Sequence, residues 1–474
     1  MASLKRALLN SSISSFVGQA LALISTIVIA RILTPDEIGR YAVISAIAMI
    51  FSEFKQLGAG IYLVKSKTIN VDVISKAFGL TFIISFFLGC TVLIASYPIS
   101  YFYGLDGALY IMIIYSLTFF ASPFVTIPTA LMTREMNFHA LRNISILSKV
   151  SNLVFSVVFV YLGFSFYSLA IGYLCGFLVQ LVMVTTLYSV SSFPVKPKFT
   201  GLGSILSLGL YTSAAGFFRK SSMIVPDLII GKQGNFNDVA LFSRGLGFSS
   251  FLSQTIRSAI SPVSLPYLSK RNREGADLAK DYILGSKLYN ALAMPVLFVG
   301  AIISLPSIRF LFGPQWDDAA PIASLLMFWA AIKSLNFQFA SLMITLDKAR
   351  YVVIQELGNL VLVALFIAVS FRYSITAASA SMLVVAFFEY LYIFFVLNKT
   401  VGLTLFNLVK PQIKNFALSF ICCLPAFGID YAIGLGSGNN FIILISVASI
   451  TPVIWYFSMY ILKHELWFYL PRLK

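Results

Sequence analysis

Charged side chains occur in this sequence where it is otherwise apolar. Residues 204–232 form a stretch long enough to cross a bilayer, yet it contains Arg219, Lys220 and Asp227. A charge near the centre of a membrane span costs about 2.5–3.5 kcal/mol, so such groups usually face a polar cavity or a partner helix. Lys220 and Asp227 are separated by nearly two helical turns and share a face, about 10 Å apart, whereas Arg219 points about 100° away.

Five basic residues lie well inside predicted spans, more than six residues from either end, and all of them are in the second half of the chain: Arg219, Lys220, Arg244, Arg257 and Lys333. Together with Asp227 they are predicted to line one polar chamber of net positive charge. Such a chamber suits an anionic cargo, because Arg and Lys are the usual partners of phosphate. Two alternatives remain open: Arg244 and Arg257 reach the membrane interfaces by snorkelling, and Lys220 and Asp227 form a structural pair.

The acidic residues offer a second kind of chemistry. Asp227 and Glu389 lie within predicted spans and are candidates for binding a coupling ion, although Glu389 is equally suited to pairing with Lys333. The four cysteines lie in apolar runs, and we predict that they are small buried hydrophobic residues. The two histidines lie in basic loops, away from the cysteines. We therefore predict no metal site. We find no catalytic motif in a plausible context and expect neither a cofactor nor an enzyme.

The composition is that of a polytopic membrane protein. Of the 474 residues 59% are hydrophobic and only 11% are charged, whereas a soluble domain is about 25% charged. The net charge of +16 does not require a nucleic acid partner, because basic loops on one side of a membrane explain it.

Fourteen apolar segments are predicted to span the membrane: 11–33, 38–60, 77–101, 108–131, 144–162, 167–190, 204–230, 237–266, 283–307, 319–345, 351–370, 375–397, 412–434 and 440–462. Tandem prolines, Pro123 and Pro128, predict a bendable fourth span. With the N-terminus inside, the outer segments hold only five basic residues, namely Arg31, Arg40, Lys232, Arg309 and Arg372, and nearly all the others fall in inner segments. Both termini are therefore expected to be cytoplasmic.

The second half of the chain repeats the first. Residues 29–42 align without gaps on 230–243, at an offset of 201, and a weaker parallel joins 131–143 to 342–355. We predict an all-α fold with an N-terminal six-helix bundle over 1–200, a second six-helix bundle over 201–400 and two additional transmembrane helices over 401–474.

Three stretches resemble the Wzx-type oligosaccharide flippases of the multidrug/oligosaccharidyl-lipid/polysaccharide (MOP) exporter superfamily. They are ARILTPDEIGRYA (30–42), LMTREMNFHALRN (131–143), and PDLIIGKQGNFNDVALFSR (226–244) with LFGPQWDDAAPI (311–322). Phe242 departs from the family pattern, in which tyrosine is more usual. The resemblance implies two bundles forming a V around a cationic cavity in the bacterial inner membrane. It also implies a flippase that carries an undecaprenyl-pyrophosphate-linked oligosaccharide, such as an O-antigen, capsule or exopolysaccharide unit, from the inner to the outer leaflet by alternating access.

The expected partners are the lipid-linked oligosaccharide and membrane lipids. H⁺ or Na⁺ coupling and contact with the glycan polymerase and chain-length machinery are left open. A flippase for the peptidoglycan lipid precursor is an alternative with similar architecture. A cation-coupled drug exporter fits less well, because an organic cation favours an acidic cavity. A membrane glycan polymerase or acyltransferase would need larger outer loops, and a pure scaffold would leave the intramembrane charges without a purpose.

Overall fold

The computed structural model describes residues 2–53, 60, 62–63, 69–105, 107–187, 196–200, 203–434, 436 and 439–469, and these fold almost entirely as helices. Lys55, Lys65, Lys67, Arg472 and Lys474, which contributed to the predicted cytoplasmic charge, lie outside the described residues. The predicted all-α membrane fold is confirmed.

The chain divides into two compact units, Met1–Ala240 and Leu241–Lys474. The helices of the first unit are α1 (Ala2–Ile32), α2 (Pro35–Ser52), α3 (Val71–Tyr103), α4 (Ala108–Ala121), α5 (Pro123–Arg134), α6 (Phe138–Tyr161), α7 (Tyr167–Val182, followed by a π-helical turn, Met183–Leu187) and α8 (Gly203–Gln233). The seventh predicted span, α8, groups with this unit because it packs against α2 and α3. The division into bundles at 200 and 400 stays a prediction.

The second unit holds most of α9 (Phe236–Arg273) and the helices that follow it. They are α10 (Leu278–Ile302), α11 (Ser304–Phe312), α12 (Ala319–Ser334), α13 (Phe339–Thr345), α14 (Arg350–Ser370), α15 (Ile375–Val401), α16 (Leu405–Val409), α17 (Ile413–Ile433) and α18 (Asn440–Ile461), with 3₁₀ turns at Pro314–Trp316, Lys410–Gln412 and Glu465–Tyr469. The tenth predicted span is thus interrupted between Ser334 and Phe339.

Nine helices within the described residues are long and apolar enough to cross a membrane, and α4 with α5 forms a tenth candidate, bent by 49°. The bend lies where Pro123 begins α5, as the tandem prolines predicted. The long helix α9 is less apolar than these spans because Arg244, Arg257 and many Ser and Gly residues lower its hydropathy. The chain is a multi-pass membrane protein, and the total of fourteen spans stays a prediction.

The first turn of the repeat has the same local structure in both copies. A two-residue turn joins α1 to α2 and another joins α8 to α9, at the predicted offset of 201. Thr34 caps α2 by accepting a hydrogen bond from Glu37 N, and the Asn235 side chain caps α9 by accepting one from Asp238 N at 2.8 Å. The backbone bond from Leu33 N to Ile29 O recurs from Gly234 N to Ile230 O.

The second pair of matched loops also shares a backbone geometry. In the first copy the amides of residues 135, 136 and 137 donate to the carbonyls of 131, 133 and 132. In the second copy the amides of 346, 347 and 348 donate to the carbonyls of 342, 344 and 343. Met136 and Asp347 occupy the same place and both have φ of 56°, a left-handed conformation that residues other than glycine rarely adopt. These bonds form a common helix C-terminal cap, since the same three close the helix ends at 162–164, 274–276 and 462–464. The first pair of turns, rather than this one, therefore supports the repeat.

The last two spans pack on α10. Leu418, Cys422 and Cys423 of α17 are buried in one apolar cluster with Ala291 of α10. The indole of Trp455 in α18 donates to the Ala291 carbonyl at 2.8 Å. The prediction that the cysteines are small buried hydrophobes is confirmed for Cys422 and Cys423, whereas Cys90 and Cys175 are only half-buried.

Candidate functional site

Helix α8 carries the charged run that the sequence singled out. It is continuous through Pro226, so Lys220 and Asp227 lie nearly two turns apart on one helix, as expected. Asp227 is buried, Lys220 is half-buried and Arg219 is exposed. The Asp227 carboxylate therefore faces the protein interior, whereas the Arg219 guanidinium stays accessible.

A further carboxylate approaches this helix from α2. Glu53 Oε2 lies 3.9 Å from the point that a Cβ would occupy on Gly216, one helical turn before Lys220. The first unit thus brings Glu53 close to the face of α8 that carries Lys220. No ion pair to Arg219 or Lys220 is found among the described residues.

Lys149 was counted with the basic residues of an inner segment, because it lies only five residues inside the predicted fifth span, and the structure corrects this. The predicted fifth span began at residue 144, but α6 begins at Phe138, where the Asn137 side chain caps it. Lys149 therefore lies about 17 Å along α6, near its middle. Its Nζ donates to the Gly18 carbonyl of α1 at 3.2 Å. The cap signal at Asn137 could have revealed this, and it adds an intramembrane cation to the first half of the chain.

In the second unit Lys333 is paired. Its Nζ lies 3.1 Å from Glu389 Oε2, which joins α12 to α15, and 5.1 Å from the centre of the Trp329 ring. Gln355 of α14 donates to the other Glu389 oxygen at 2.6 Å. Glu389 is only 7% exposed, so its charge is held by these two neighbours. Pairing with Lys333, which the sequence left open as an alternative to ion coupling, is therefore present.

Arg257 and Arg244 have different surroundings along α9. Arg257 is exposed and stands 5.8 Å from the ring centre of Phe337, in the break that follows Lys333. Arg244 lies about 20 Å away along the helix, between the rings of Phe312 and Trp316 at 4.8 and 4.6 Å. The structure thus places Arg257 near the same break as Lys333 and leaves Arg244 in a separate aromatic pocket.

The pocket around Arg244 is fixed by a second arginine. Arg309 Nε donates to both carboxylate oxygens of Asp317, at 3.0 and 3.1 Å, directly after the turn that carries Trp316. These hydrogen bonds to Asp317 raise the pKa of Arg309. Cation–π contacts hold the Arg244 guanidinium, and its buried Nε has no hydrogen-bond partner within the described part of the chain. This geometry favours a structural role for Arg244.

The remaining titratable groups of the described ranges form no group of three or more His, Cys, Asp or Glu with the spacing of a metal site. The distinctive charged groups are the basic residues within predicted spans. Helices α8 and α9, which carry four of them, are not among the nine described helices that are apolar enough to cross a membrane. Two of these basic residues, Lys333 and Arg244, are engaged by fixed neighbours, and three others, Arg219, Lys220 and Arg257, have no ion pair within the described residues.

Comparison with known protein families decides the assignment. A family model described as "Polysaccharide biosynthesis protein" matches residues 28–321, which is more than half of the chain. The chain belongs to this family. Its matched region includes α8 and α9, and therefore five of the six residues predicted to bind substrate.

Two relatives of this polysaccharide biosynthesis protein are informative. The succinoglycan biosynthesis transport protein ExoT of Rhizobium meliloti is 24% identical over 63% of this chain and 60% of its own length, so the match spans less than two thirds of that relative. An uncharacterized membrane protein in the cps region of Klebsiella pneumoniae is 22% identical over 88% of this chain and 86% of its own.

Solved structures define the fold. The lipid II flippase MurJ, in an inward closed conformation, matches 97% of this chain and 99% of its own at a TM-score of 0.76 and 15% identity. An inward-facing multidrug resistance MATE transporter of the MOP superfamily matches 83% of this chain and 99% of its own at a TM-score of 0.67 and 17% identity. The fold implied by the resemblance to the MOP exporters is confirmed, and at these identities the likeness concerns the fold alone.

Proposed function

We propose that this polysaccharide biosynthesis protein is a flippase and not an enzyme. Its cargo is an undecaprenyl-pyrophosphate-linked oligosaccharide, which crosses from the inner to the outer leaflet of the bacterial inner membrane by alternating access through a cationic cavity. Membership of the family and the similarity to a protein named as a succinoglycan transporter support the class of cargo. Neither the family nor this relative specifies which glycan is carried.

The observation that carries the proposal is the accessible pair of cations in the middle of α8. Arg219 is exposed and Lys220 half-buried, and no carboxylate within the described residues forms an ion pair with either. Uncompensated charges of this kind are costly against hydrocarbon, so they favour a hydrated cavity that accepts an anion. Arg257 and Lys149 are two further cations at comparable positions in their helices. A pyrophosphate diester matches this charge and the donor geometry of Arg and Lys.

The membrane potential favours the proposed direction. A pyrophosphate linkage with two negative charges gains about 4.6 kcal/mol per 100 mV when it moves outward from a negative interior, taking about 2.3 kcal/mol per charge. The basic side chains stabilise the anion while it is away from water, and the potential drives its release on the far side. Independently of this mechanism, the distribution of basic loops predicts that the N-terminus and C-terminus are cytoplasmic.

The test is transfer of a fluorescent lipid-linked oligosaccharide in reconstituted vesicles. Arg219→Gln and Lys220→Gln each remove a charge-assisted contact worth about 1.5–3 kcal/mol, so we expect transfer to slow by roughly 10- to 100-fold. Arg273→Gln is the matched control, because Arg273 is exposed in the last turn of α9 and has no ion pair within the described residues. Equal transfer by all three variants and the parent protein would contradict the proposal.

The choice of cargo can be tested in the same vesicles. We expect a polyprenyl-pyrophosphate oligosaccharide to be transferred faster than the peptidoglycan lipid precursor, and the reverse order would favour the alternative flippase. Coupling to H⁺ or Na⁺ through Asp227 or Glu389 would appear as a dependence of transfer on the ion gradient that disappears in Asp227→Asn or Glu389→Gln. Because Lys333 and Gln355 already contact Glu389, an ion there would have to displace Lys333.

A further inference from the structure

A small cavity with polar lining lies inside the second unit, beside the break that follows Lys333. Helices α10, α15 and α16, the break between α12 and α13, and the 3₁₀ turn before α17 surround it. The lining residues are Tyr282, Ile283, Ser286, Leu335, Asn336, Tyr390, Leu408 and Gln412. The space open to the centre of a water-sized sphere is about 10 Å³. A volume of this size holds about one water molecule.

Two hydroxyl groups on one face of α10 point to an occupant of this cavity. Tyr282 and Ser286 are one helical turn apart and only 1% and 2% exposed. The hydroxyl groups of Tyr282 and Ser286 lie near each other, but neither oxygen makes a hydrogen bond of good geometry with any described residue. Buried hydroxyls without partners are rare in folded proteins, because each has lost its hydrogen bonds to water.

We infer that this cavity holds one ordered water molecule that bonds to Tyr282 and Ser286. A water can accept from one hydroxyl and donate to the other, and Gln412 and Asn336 line the same space with amide groups that can complete its bonds. Water fits the site better than a cation, since the lining side chains are all neutral and include no carboxylate. The cavity also offers the two to four polar partners that an ordered water needs, whereas a cavity without such partners stays dry.

The water completes a longer hydrogen-bonded chain through the second unit. Gln412 Oε1 accepts from Asn290 Nδ2 of α10 at 3.1 Å and from Asn415 Nδ2 of α17 at 2.7 Å. Asn415 Oδ1 in turn lies 3.0 Å from His464 Nε2, after the last helix. A water between Gln412 and the α10 hydroxyls extends this chain towards Asn336, in the break of the tenth predicted span. It thereby links the C-terminal pair of helices to the point where that span is interrupted.

The first test locates the water directly. The full-length protein in nanodiscs is exposed to X-ray radiolysis in H₂¹⁸O, which labels side chains beside ordered internal water. We expect Tyr282 and Leu335 to be labelled well above Tyr289, which is also buried in α10 but stacks on Phe337 with ring centres 4.0 Å apart. Labelling of Tyr282 at the level of Tyr289 would overturn the inference.

The second test uses the sign of a stability change. If the cavity is hydrated, Tyr282→Phe and Ser286→Ala each remove a real hydrogen bond, and Tm falls by about 1–3 °C. If it is dry, each removes an unsatisfied polar group and Tm stays the same or rises. Ser381→Ala is the control, because the Ser381 hydroxyl is satisfied within its own helix by the Ala378 carbonyl at 2.7 Å. A rise or no change in both cavity variants relative to this control would refute the water.

Discussion

The buried ion pair between Lys333 and Glu389 makes a sharp prediction about stability. At 3.1 Å and an effective dielectric constant of about 20, the two charges attract each other by about 5 kcal/mol, before the cost of removing them from water is subtracted. The two partners differ in exposure, since the Lys333 side chain is 28% exposed and that of Glu389 only 7%. Removing one partner should therefore not cost the same as removing the other.

Lys333→Met leaves a buried carboxylate that retains only its bond from Gln355, and we expect a loss of about 3–5 kcal/mol. Glu389→Gln leaves a lysine that already lies near the Trp329 ring and can turn towards water, so a loss of about 1–2 kcal/mol is expected. The double variant leaves no charge unpaired and should be close to the parent protein, well below the sum of the single losses.

Equilibrium unfolding in mixed micelles, followed by tryptophan fluorescence and circular dichroism, gives the three free energies of unfolding. The reasoning would be refuted if the single losses add to within about 0.5 kcal/mol in the double variant, or if Glu389→Gln is the more damaging change. Either result would mean that the pair is hydrated and that its charges act independently.

Three further predictions concern other parts of the chain. Gly39→Ala should destabilise the protein by about 1–3 kcal/mol or more, because the new Cβ would lie 1.7 Å from the Phe236 carbonyl oxygen. Gly358→Ala is the control, since it adds a Cβ in open space on α14 and should stabilise the protein slightly. Thermal unfolding of the two variants compares them. Burial lowers the pKa of His464 from 6.5 to about 4, so the ring is neutral in the folded protein over most of this range. The free energy of unfolding should therefore be at its full value above pH 6.5 and fall by roughly 3 kcal/mol as the pH drops to 4. A His464→Gln variant, unfolded at each pH, should lack this loss. Lys149→Met should slow transfer of the lipid-linked glycan by roughly 10-fold while changing stability by less than about 1 kcal/mol, and unchanged transfer would exclude the residue from the cargo path.

The neutral state of His464 follows from its contacts as well as from its burial. The backbone amide of Leu466 donates to Nδ1 at 3.1 Å, so Nδ1 must be unprotonated, and Nε2 then donates to Asn415 Oδ1. A second proton on the ring would leave the Leu466 amide without its acceptor. The folded state therefore excludes the charged imidazole, which is why the protein loses stability as the pH falls.

Much of the fold could be predicted from the sequence because it follows from periodicity and composition. The first repeated turn was located through Glu37 and Asp238, and the structure places both at equivalent positions in a capped helix start. The bend at Pro123 was also predicted, because proline removes a backbone donor. These features depend on interactions within a few residues of each other in the chain.

The environment of each charge could not be predicted in the same way. Nothing local to Arg244 indicates that Phe312 and Trp316, more than sixty residues later, enclose it. Lys149 was counted with an inner loop because it lies near the start of the predicted span, whereas α6 begins earlier and carries Lys149 near its middle. The neighbours of such a charge are set by packing between helices that are far apart in the chain, and patterns in a single sequence do not reveal that packing.

The left-handed residues Met136 and Asp347 show what fixes a helix end in this chain. Neither is a glycine and their side chains have little in common, so the shared backbone geometry cannot come from a shared residue preference. The surrounding hydrogen bonds hold both in place, and the same three bonds occur in each loop and again at 462–464, where Lys463 is left-handed as well. Main-chain bonding therefore sets the geometry of these helix ends, whatever the side chain. Exchanging 131–137 for 342–348 should accordingly yield a chimera that still folds.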